Sequence, residues 1–195
     1  MTTRPPAMKS GLSPSVRLRT DRLLLRPTTP ADAPRAFEIQ SDWDVTRMLR
    51  MALFPPDLDD MTGWFGEHPR EWLAGTAFRF AIERAGRMIG VVDLDEIDGE
   101  EGELGYWLER PSWGKGYAFE AAEAVVDFAF RQVGLLALRS GHAADNPASG
   151  KVLLKLGFRP LLSMRKLSRS RGEEILHQSY GLTANAWRNR PDADR

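Results

Sequence analysis

The sequence predicts a mixed α/β domain, because segments with the period of a strand alternate with segments with the period of a helix. Residues 18–27 alternate polar and apolar side chains and stop at a proline, which is typical of a strand. Residues 78–83 and 88–97 are β-type runs separated by four residues, a spacing that indicates a hairpin. After Gly116, apolar positions step by three and four up to about Gln132, so we expect a long helix with one buried face.

The remaining segments extend this alternation, and neither a repeat nor a second domain is visible. We therefore expect one domain over residues 16–184, between a flexible N-terminal tail (1–15) and a C-terminal tail (185–195). The other predicted elements are a helix starting at Thr29, helices over 43–49 and 57–73, strands over 103–109 and 135–143, a short helix over 146–157, and two antiparallel strands on either side of 170–173.

The composition excludes several classes of protein. The 195 residues suffice for one domain, and 42% of them are hydrophobic. Basic and acidic residues number 27 each, which argues against a strongly cationic nucleic-acid binder. The absence of cysteine excludes disulfides, thiolate metal sites and a cysteine nucleophile. The first residues lack a signal-peptide core, and no apolar run approaches the length of about 18 residues that a membrane helix needs, so we expect a cytoplasmic protein.

The most informative segment is the turn between the strand at 103–109 and the long helix. Gly114 and Gly116 lie in this turn, and glycine lets a ligand approach the backbone closely. The N–H groups and the positive dipole end of a helix start form an anion site that suits a pyrophosphate. A P-loop does not fit, because Lys115 is followed by glycine, and a dinucleotide fingerprint does not fit, because Phe119 replaces its third glycine. A simple strand-to-helix turn is the alternative.

Residues 103–121 (ELGYWLERPSWGKGYAFEA) resemble motif A of the GNAT superfamily of N-acetyltransferases, in its ribosomal-protein N-terminal acetyltransferase (RimJ/RimL-like) branch. The superfamily loop reads Gln or Arg, two residues, Gly, one residue, then Gly or Ala. Gly116 and Ala118 fill the last two places, whereas Trp113 takes the place of Gln or Arg, a departure that is usual in this branch. Two further blocks stand in the family's order and resemble the opening strand and helix of the branch and its motif B: residues 20–33 and 146–158.

The resemblance implies the GNAT fold, a mixed, mostly antiparallel sheet that is splayed in the middle and carries helices on both faces. It also implies acetyl-CoA as the cofactor, with the pantetheine arm in the splay and the pyrophosphate on the amides of residues 113–118. Asn146 would hydrogen-bond the pantetheine arm or fix the local backbone, and Lys115 would meet a phosphate or remain a solvated loop charge. The cofactor-binding residues implied in this way are Trp107, Leu108, Trp113, Gly114, Lys115, Gly116, Tyr117, Ala118 and Asn146.

The implied reaction is direct attack of a primary amine on a thioester through a tetrahedral intermediate. The amine must be neutral, and at pH 7 only about one lysine amine in a thousand, or one α-amine in ten, is neutral. A general base is therefore needed. The candidate base is Glu103, close to where a catalytic Glu lies in several family members; the alternatives are a surface carboxylate at that position, or Asp93, Asp95 or Glu96 as the base.

The group that returns a proton to the departing thiolate is indicated less directly. Many family members use a tyrosine in the motif B helix, and the matching position here is Leu153. Ser149 stands where relatives in this branch use a serine, so it is the candidate acid, with a helix-capping hydroxyl beside Asn146 as the alternative. A thiolate can also leave unaided, because its pKa is not far above neutrality.

No sequence pattern identifies the acceptor. The resemblance implies a protein N-terminus or a small amine; an acidic pocket would favour a polyamine or aminoglycoside, and an open groove a peptide. A non-catalytic acyl-CoA-binding protein is the alternative function. Dimers are common in the family, which leaves a homodimer open, whereas nothing indicates a metal, nucleic acid or membrane partner.

Three further groups of residues have no clear part in this chemistry. The histidines are too far apart in the sequence to form the short-spaced motif that is typical of a metal site. The basic segment precedes two glutamates and is typical of the solvated face of a hairpin. The tryptophans precede the predicted hairpin, where this family builds its acceptor pocket, and each is either a core residue or a pocket wall. The histidines are His68, His142 and His177, the basic segment is residues 159–171, and the tryptophans are Trp43, Trp64 and Trp72.

Overall fold

Short turns divide the chain into the alternating strands and helices that the sequence predicts. The computed structural model describes residues 12–190, and residues 1–11 and 191–195 lie outside it. In chain order the elements are β1 (Leu18–Arg19), β2 (Leu24–Pro27), α1 (Ala33–Gln40), α2 (Trp43–Thr46), α3 (Leu58–Ala74), β3 (Phe78–Arg84), β4 (Arg87–Asp98), β5 (Glu101–Leu108), α4 (Tyr117–Phe128), β6 (Ala137–Ala143), α5 (Pro147–Lys155), β7 (Arg159–Ser168), β8 (Glu173–Thr183) and α6 (Ala184–Arg188).

The strands form one sheet in the order β1-β2-β3-β4-β5-β6-β8-β7. Neighbouring strands are antiparallel except for β5 and β6, which run parallel. This parallel pairing joins Glu101–Glu103 to Ala137–Arg139 and extends no further. Beyond it the two strands diverge. The predicted mixed, mostly antiparallel sheet with a splay in the middle is confirmed.

Helices cover both faces of the sheet, which explains why β3 is buried along most of its length. Phe80 faces a large cluster that includes α4, whereas the adjacent Ala81 faces a smaller cluster with α1 and α3. The ring of Phe128 in α4 meets Phe78 and Phe80 edge-on, with centroids 5.5 and 5.4 Å apart. Such pairs add about 0.5–1.5 kcal/mol beyond the burial of area. The aromatic group thereby fixes α4, and with it the loop that precedes this helix.

Two predicted elements near the N-terminus are shorter than expected. The strand predicted over 18–27 consists of two short strands, because the Thr20 hydroxyl accepts the N–H of Leu23 (3.0 Å) and closes a tight turn between them. The helix predicted over 43–49 ends at Thr46, since the amides of Met48 and Leu49 bond carbonyls three residues back rather than four.

The long helix also departs from a regular α-helix near its end. It keeps α geometry to Phe128 and continues as one π-helical turn over Ala129–Val133. Gly134 closes this turn with φ 88°, in the left-handed region that glycine adopts at little cost. The helix therefore ends close to the predicted position.

Ordered packing reaches into both predicted tails. Leu12, within the predicted tail 1–15, accepts a hydrogen bond at its carbonyl from Trp72 Nε1 (3.0 Å). At the other end the chain continues past residue 184 into α6, where Trp187 is buried.

Phe128→Ala is expected to lower the free energy of unfolding by about 3–5 kcal/mol, because it removes the ring at the centre of the aromatic group and leaves a cavity. Urea denaturation measures the change. The control is Leu162→Ala on β7, whose side chain is 65% exposed and whose loss is expected to cost less than about 0.5 kcal/mol. Equal losses in the two variants would contradict the assignment of Phe128 to the core.

Candidate active site

The splay leaves one edge of β5 without a neighbouring strand. The Glu109 N–H donates to the Ile89 carbonyl (2.8 Å), which sets the side of β5 that faces β4. Since backbone groups alternate along a strand, the N–H groups of Tyr106 and Leu108 point away from β4 and into the splay. The pairing of β5 with β6 ends at Glu103, so β6 does not reach these two amides.

Side chains already bond two carbonyls on the same edge. The Ser140 hydroxyl of β6 donates to the Leu104 carbonyl (2.8 Å), at the point where the strands separate. The indole N–H of Trp113 donates to the Leu108 carbonyl (2.9 Å) and ties the glycine loop to the end of β5. Trp107 pairs with Val91 of β4, so its backbone lies on the other edge. Of the two residues predicted to pair with pantetheine, Leu108 therefore offers a backbone N–H and Trp107 does not.

A cavity of about 1180 Å³ extends from this edge to both sides of the sheet. It brings together the glycine loop, the starts of α4 and α5, the splayed parts of β5 and β6, and the segment between α2 and α3. Eight of the nine predicted cofactor-binding residues line it, and Lys115 is the exception: Trp107, Leu108, Trp113, Gly114, Gly116, Tyr117, Ala118 and Asn146.

The glycine loop has the backbone conformation that an anion site needs. Gly114 and Gly116 have φ of 72° and 81°, where a side chain would be strained. Gly116 is the N-cap of α4, which begins at Tyr117, so the first amides of this helix have no partner inside the helix. These amides and the helix dipole favour a bound phosphate at this point.

An ion pair next to the loop involves residues that the sequence analysis did not single out. Glu120, in the first turn of α4, accepts hydrogen bonds from Thr20 Oγ1 (2.6 Å) and from the Arg22 side chain (2.7 Å). Burial acts to raise the pKa of Glu120, but these bonds hold the pKa below its usual range. Arg22 also donates to the Lys115 carbonyl (3.0 Å). The arginine thus neutralises a carboxylate that would repel a phosphate and braces the loop. The signal in the sequence that could have pointed to Arg22 was the resemblance of residues 20–33 to the opening block of the branch.

The start of α5 brings Ser149 against a tyrosine of β5. Asn146 Oδ1 accepts the Ser149 N–H (3.3 Å), so Asn146 fixes the local backbone, which is one of its two expected roles. Ser149 Oγ lies 2.8 Å from the Tyr106 hydroxyl, which is also 3.1 Å from the Ser149 carbonyl. Burial raises the pKa of Tyr106 and keeps the phenol neutral. Leu153 is fully buried. Tyr106 could not be singled out from the sequence, because a tyrosine in an apolar strand is indistinguishable from a core residue.

Glu103 lines the cavity on the opposite face of β5 from Tyr106, because side chains an odd number of positions apart point to opposite faces. Burial is the largest cause that raises the pKa of Glu103, and the charge of Glu96 adds to it, while Lys166, Arg139 and Arg50 act in the opposite direction. Within residues 12–190, no hydrogen bond or ion pair holds its carboxylate. A half-buried carboxylate with a raised pKa and no partner is well suited to accept a proton.

The competing carboxylates are held by an arginine or lie away from the cavity. Arg79 donates to Asp93 (3.1 Å) and to Asp95 (2.9 Å). Burial raises the pKa of Asp93 to about 6, although Arg79 acts to lower it. Glu96 is exposed and has a positive φ of 46°, next to a register shift in β4. Glu103 is consequently better placed than its three competitors.

The tryptophans differ in environment. Trp72 is a core residue, packed edge-on against Phe78 with centroids 5.0 Å apart. Trp64 lines the cavity, and the Arg79 guanidinium lies 5.1 Å from its ring centroid. Trp43 is 41% exposed and packs against Phe54. Of these three tryptophans, Trp64 is thus the one that lines the cavity.

Two of the three histidines also line the cavity. His142 donates through Nδ1 to the Ala143 carbonyl (2.7 Å), so its Nε2 can accept from the Tyr180 hydroxyl (3.2 Å). His177 fills space that a side chain at Gly141 would occupy, and its Nδ1 has no partner within the described residues. Burial lowers the pKa of His177 to about 4, so the ring is neutral at pH 7. In residues 12–190, no three His, Asp or Glu side chains cluster in a way that could hold a metal ion.

The basic segment forms most of the exposed strand β7 and the turn after it. Arg171 pairs with Asp145 (2.9 Å) at the mouth of the cavity, and Arg169 lines the cavity wall. The segment is therefore partly engaged by the active-site region. No helix between residues 12 and 190 is long and apolar enough to span a membrane.

Comparison with known proteins agrees with this geometry. Residues 22–159 match the family model described as the acetyltransferase (GNAT) domain. The chain is 31% identical over 164 residues to an uncharacterized N-acetyltransferase, p20, of Bacillus licheniformis, covering 81% of this chain and 90% of that protein. It is 27% identical over 157 residues to the [ribosomal protein uS5]-alanine N-acetyltransferase of Escherichia coli, covering 74% and 79%.

Solved structures show the same fold. The structure of RimL, a ribosomal L7/L12 alpha-N-protein acetyltransferase in complex with coenzyme A, superposes with a TM-score of 0.79 at 18% identity, covering 88% of this chain and 99% of that one. Spermidine N-acetyltransferase from Vibrio cholerae, in complex with CoA and spermine, gives 0.76 at 17% identity, covering 87% and 100%.

The chain belongs to the GNAT family of acetyltransferases. It is an acyltransferase that uses acetyl-CoA to acetylate an amine. The unpaired edge of β5, the glycine loop and the cavity offer N–H groups and space that suit such a donor.

Gly116→Ala is expected to weaken acetyl-CoA binding about tenfold or more, because it strains the loop and brings a methyl group to 3.3 Å from Arg22 Nη2. Gly86→Ala is the matched control, since Gly86 has a similar φ of 76° in the β3–β4 turn and lies away from the cavity. Both variants should lose about 1–2 kcal/mol of stability. Calorimetric titration measures affinity, and equal affinities in the two variants would contradict the loop's role.

Stability is expected to fall as the pH falls from about 6.5 to about 4, partly through His177. Its pKa is lower in the folded state, so the unfolded chain takes up a proton in this range that the folded chain refuses. In urea denaturation at pH 7 and pH 4.5, the His177→Gln variant should lose less stability on acidification than the unaltered protein. An equal loss would show that His177 is not the group responsible.

Proposed function

We propose that this chain transfers an acetyl group from acetyl-CoA to a primary amine by direct attack through a tetrahedral intermediate, with the amine on a protein N-terminus or a small molecule. One observation carries this proposal. Glu103, where the pairing with β6 ends, and Ser149, against Tyr106 on the free edge, line one cavity from opposite faces of β5. An amine can therefore approach from one face while a thiolate departs toward the other.

In this proposal the donor occupies the half of the cavity next to α4 and α5. The amides of the glycine loop, from residue 113 to 118, hold its pyrophosphate, and the N–H groups of Tyr106 and Leu108 bond its pantetheine arm or the developing oxyanion. The cavity volume and the left-handed glycines support this placement. Bound acetyl-CoA supplies the activated acetyl group, and the protein orients it.

Glu103 is the proposed general base. Its raised pKa brings it nearer to the operating pH, where a base is most effective, and no competing partner holds it. Asp93 and Asp95 are paired with Arg79 and help to shape the pocket instead. Activity should accordingly decline in acid as Glu103 becomes protonated.

The acceptor half of the cavity combines negative charge and apolar surface. Asp57, Asp60 and Glu103 line it together with Met61 and Trp64, and Arg50 and Arg169 also border the cavity. The carboxylates attract a cationic amine, which supports a small polyamine-like acceptor. The apolar wall supports a peptide N-terminus. Relatives that act on ribosomal proteins and on spermidine represent both possibilities. A panel of peptides and small amines in a thiol-release assay distinguishes them.

Glu103→Gln is expected to lower kcat about 10²-fold or more, without a change in acetyl-CoA affinity, because only proton removal from the acceptor is lost. Glu101→Gln is the control, since Glu101 is an exposed carboxylate at the start of the same strand. Thiol release gives the rate and calorimetric titration the affinity. Full activity of Glu103→Gln would remove the base assignment. Acetyl-CoA binding without thiol release from any acceptor would instead support a non-catalytic acyl-CoA-binding protein.

A further inference from the structure

The contact between Tyr106 and Ser149 joins two elements that border the splay. Tyr106 lies on β5, near the middle of the free edge, and Ser149 lies in the first turn of α5. Their hydroxyl oxygens are 2.8 Å apart, and both residues line the cavity. The bond therefore joins β5, which borders the proposed donor site, to α5, which carries Ser149, the candidate group that assists the departing thiolate.

A serine hydroxyl has one proton and a freely rotating O–H bond, so a partner that donates to its oxygen fixes where that proton can point. Tyr106 is suited to this role. Burial keeps the phenol neutral, so it retains its one proton. That proton has two acceptors on Ser149, the Oγ at 2.8 Å and the carbonyl at 3.1 Å, and the shorter contact is the one to Oγ. Asn146 holds the backbone N–H of Ser149 in the first turn of α5, which fixes the position of the serine Cα. The orientation of the Ser149 hydroxyl then depends on Tyr106.

Acidity limits what Ser149 can do. A thiol has a pKa of about 8.5, and an alkyl hydroxyl is a much weaker acid, so a serine does not give its proton outright to a departing thiolate. It can donate a hydrogen bond to the sulfur as negative charge develops there. Such a bond is useful only if the O–H points at the sulfur when the C–S bond breaks.

We propose that Tyr106 is a positioning residue that donates its hydrogen bond to Ser149 Oγ and directs the Ser149 O–H toward the departing thiolate. This inference rests on the proposed function. In the step itself the amine nitrogen forms a bond to the acetyl carbon, and the C–S electron pair leaves with sulfur. The amine proton passes to Glu103, the thiolate accepts a hydrogen bond from Ser149, and solvent returns a proton to give the free thiol.

The neighbouring tyrosine provides a matched control. Tyr180 has a hydroxyl near that of Tyr106, but it is bonded to His142 Nε2 (3.2 Å) rather than to Ser149. Both tyrosines lose a buried hydroxyl on replacement by phenylalanine, and both changes keep the ring. A purely structural effect would therefore affect the two variants alike.

The test is a double-mutant cycle on kcat, with Tyr106→Phe, Ser149→Ala and the double variant, and Tyr180→Phe as control. We expect Tyr106→Phe and Ser149→Ala each to lower kcat about tenfold, with acetyl-CoA affinity unchanged. If Tyr106 acts through Ser149, the double variant should be about as active as Ser149→Ala alone, because the second change removes nothing further. Tyr180→Phe should keep nearly full kcat.

Two outcomes would overturn the inference while leaving the proposed function intact. These are full activity of Tyr106→Phe, or losses that multiply to about a hundredfold in the double variant. Weaker acetyl-CoA binding by Tyr106→Phe at unchanged kcat would also overturn it, since that result indicates a donor contact. If the unaltered protein releases no thiol with any acceptor, the proposed function itself fails, and this inference fails with it.

Discussion

The three-residue parallel pairing between β5 and β6 is the contact on which the active site depends. It joins the two halves of the sheet at Glu101–Glu103 and Ala137–Arg139, and the strands separate immediately beyond. A longer pairing would consume the amides of Tyr106 and Leu108 and close the cavity. A shorter one would leave the two halves without a common backbone ladder. Where the pairing ends therefore decides where the donor can bind.

Ion pairs then determine which carboxylates remain available to accept a proton. Arg22 neutralises Glu120 at the start of α4, where a free negative charge would oppose a phosphate. Arg79 forms ion pairs with Asp93 and Asp95 on β4, and also with Glu71. Both arginines come from strands or turns distant in sequence from their partners. Their effect is to leave Glu103 as the carboxylate on β5 that has a raised pKa and no ion-pair partner among residues 12–190.

Much of the fold was predictable because its signals are local. The hairpin of β3 and β4 follows from two apolar runs with a short turn between them, and the long helix follows from a three-and-four spacing. Bounds were less predictable where tertiary contacts set them: the Thr20 side chain divides the first strand, and α6 forms because Trp187 finds a place in the core. The cofactor loop was found through its glycines, since a φ near 80° restricts the choice of residue.

The sequence by itself determined the class of fold, the glycine loop with its cofactor, and the identities of Glu103 and Ser149 as candidates. The fold class and the glycine loop follow from the local order of residues, whereas the cofactor and the candidate roles of Glu103 and Ser149 follow from the resemblance of short stretches to the GNAT family. Only the tertiary structure decided that Tyr106 meets Ser149, that Arg22 pairs with Glu120 and Arg79 with Asp93, and that Glu103 and Ser149 lie on opposite faces of β5. These contacts join residues between 14 and about 100 positions apart, and the path of the sheet, rather than local propensity, brings them together.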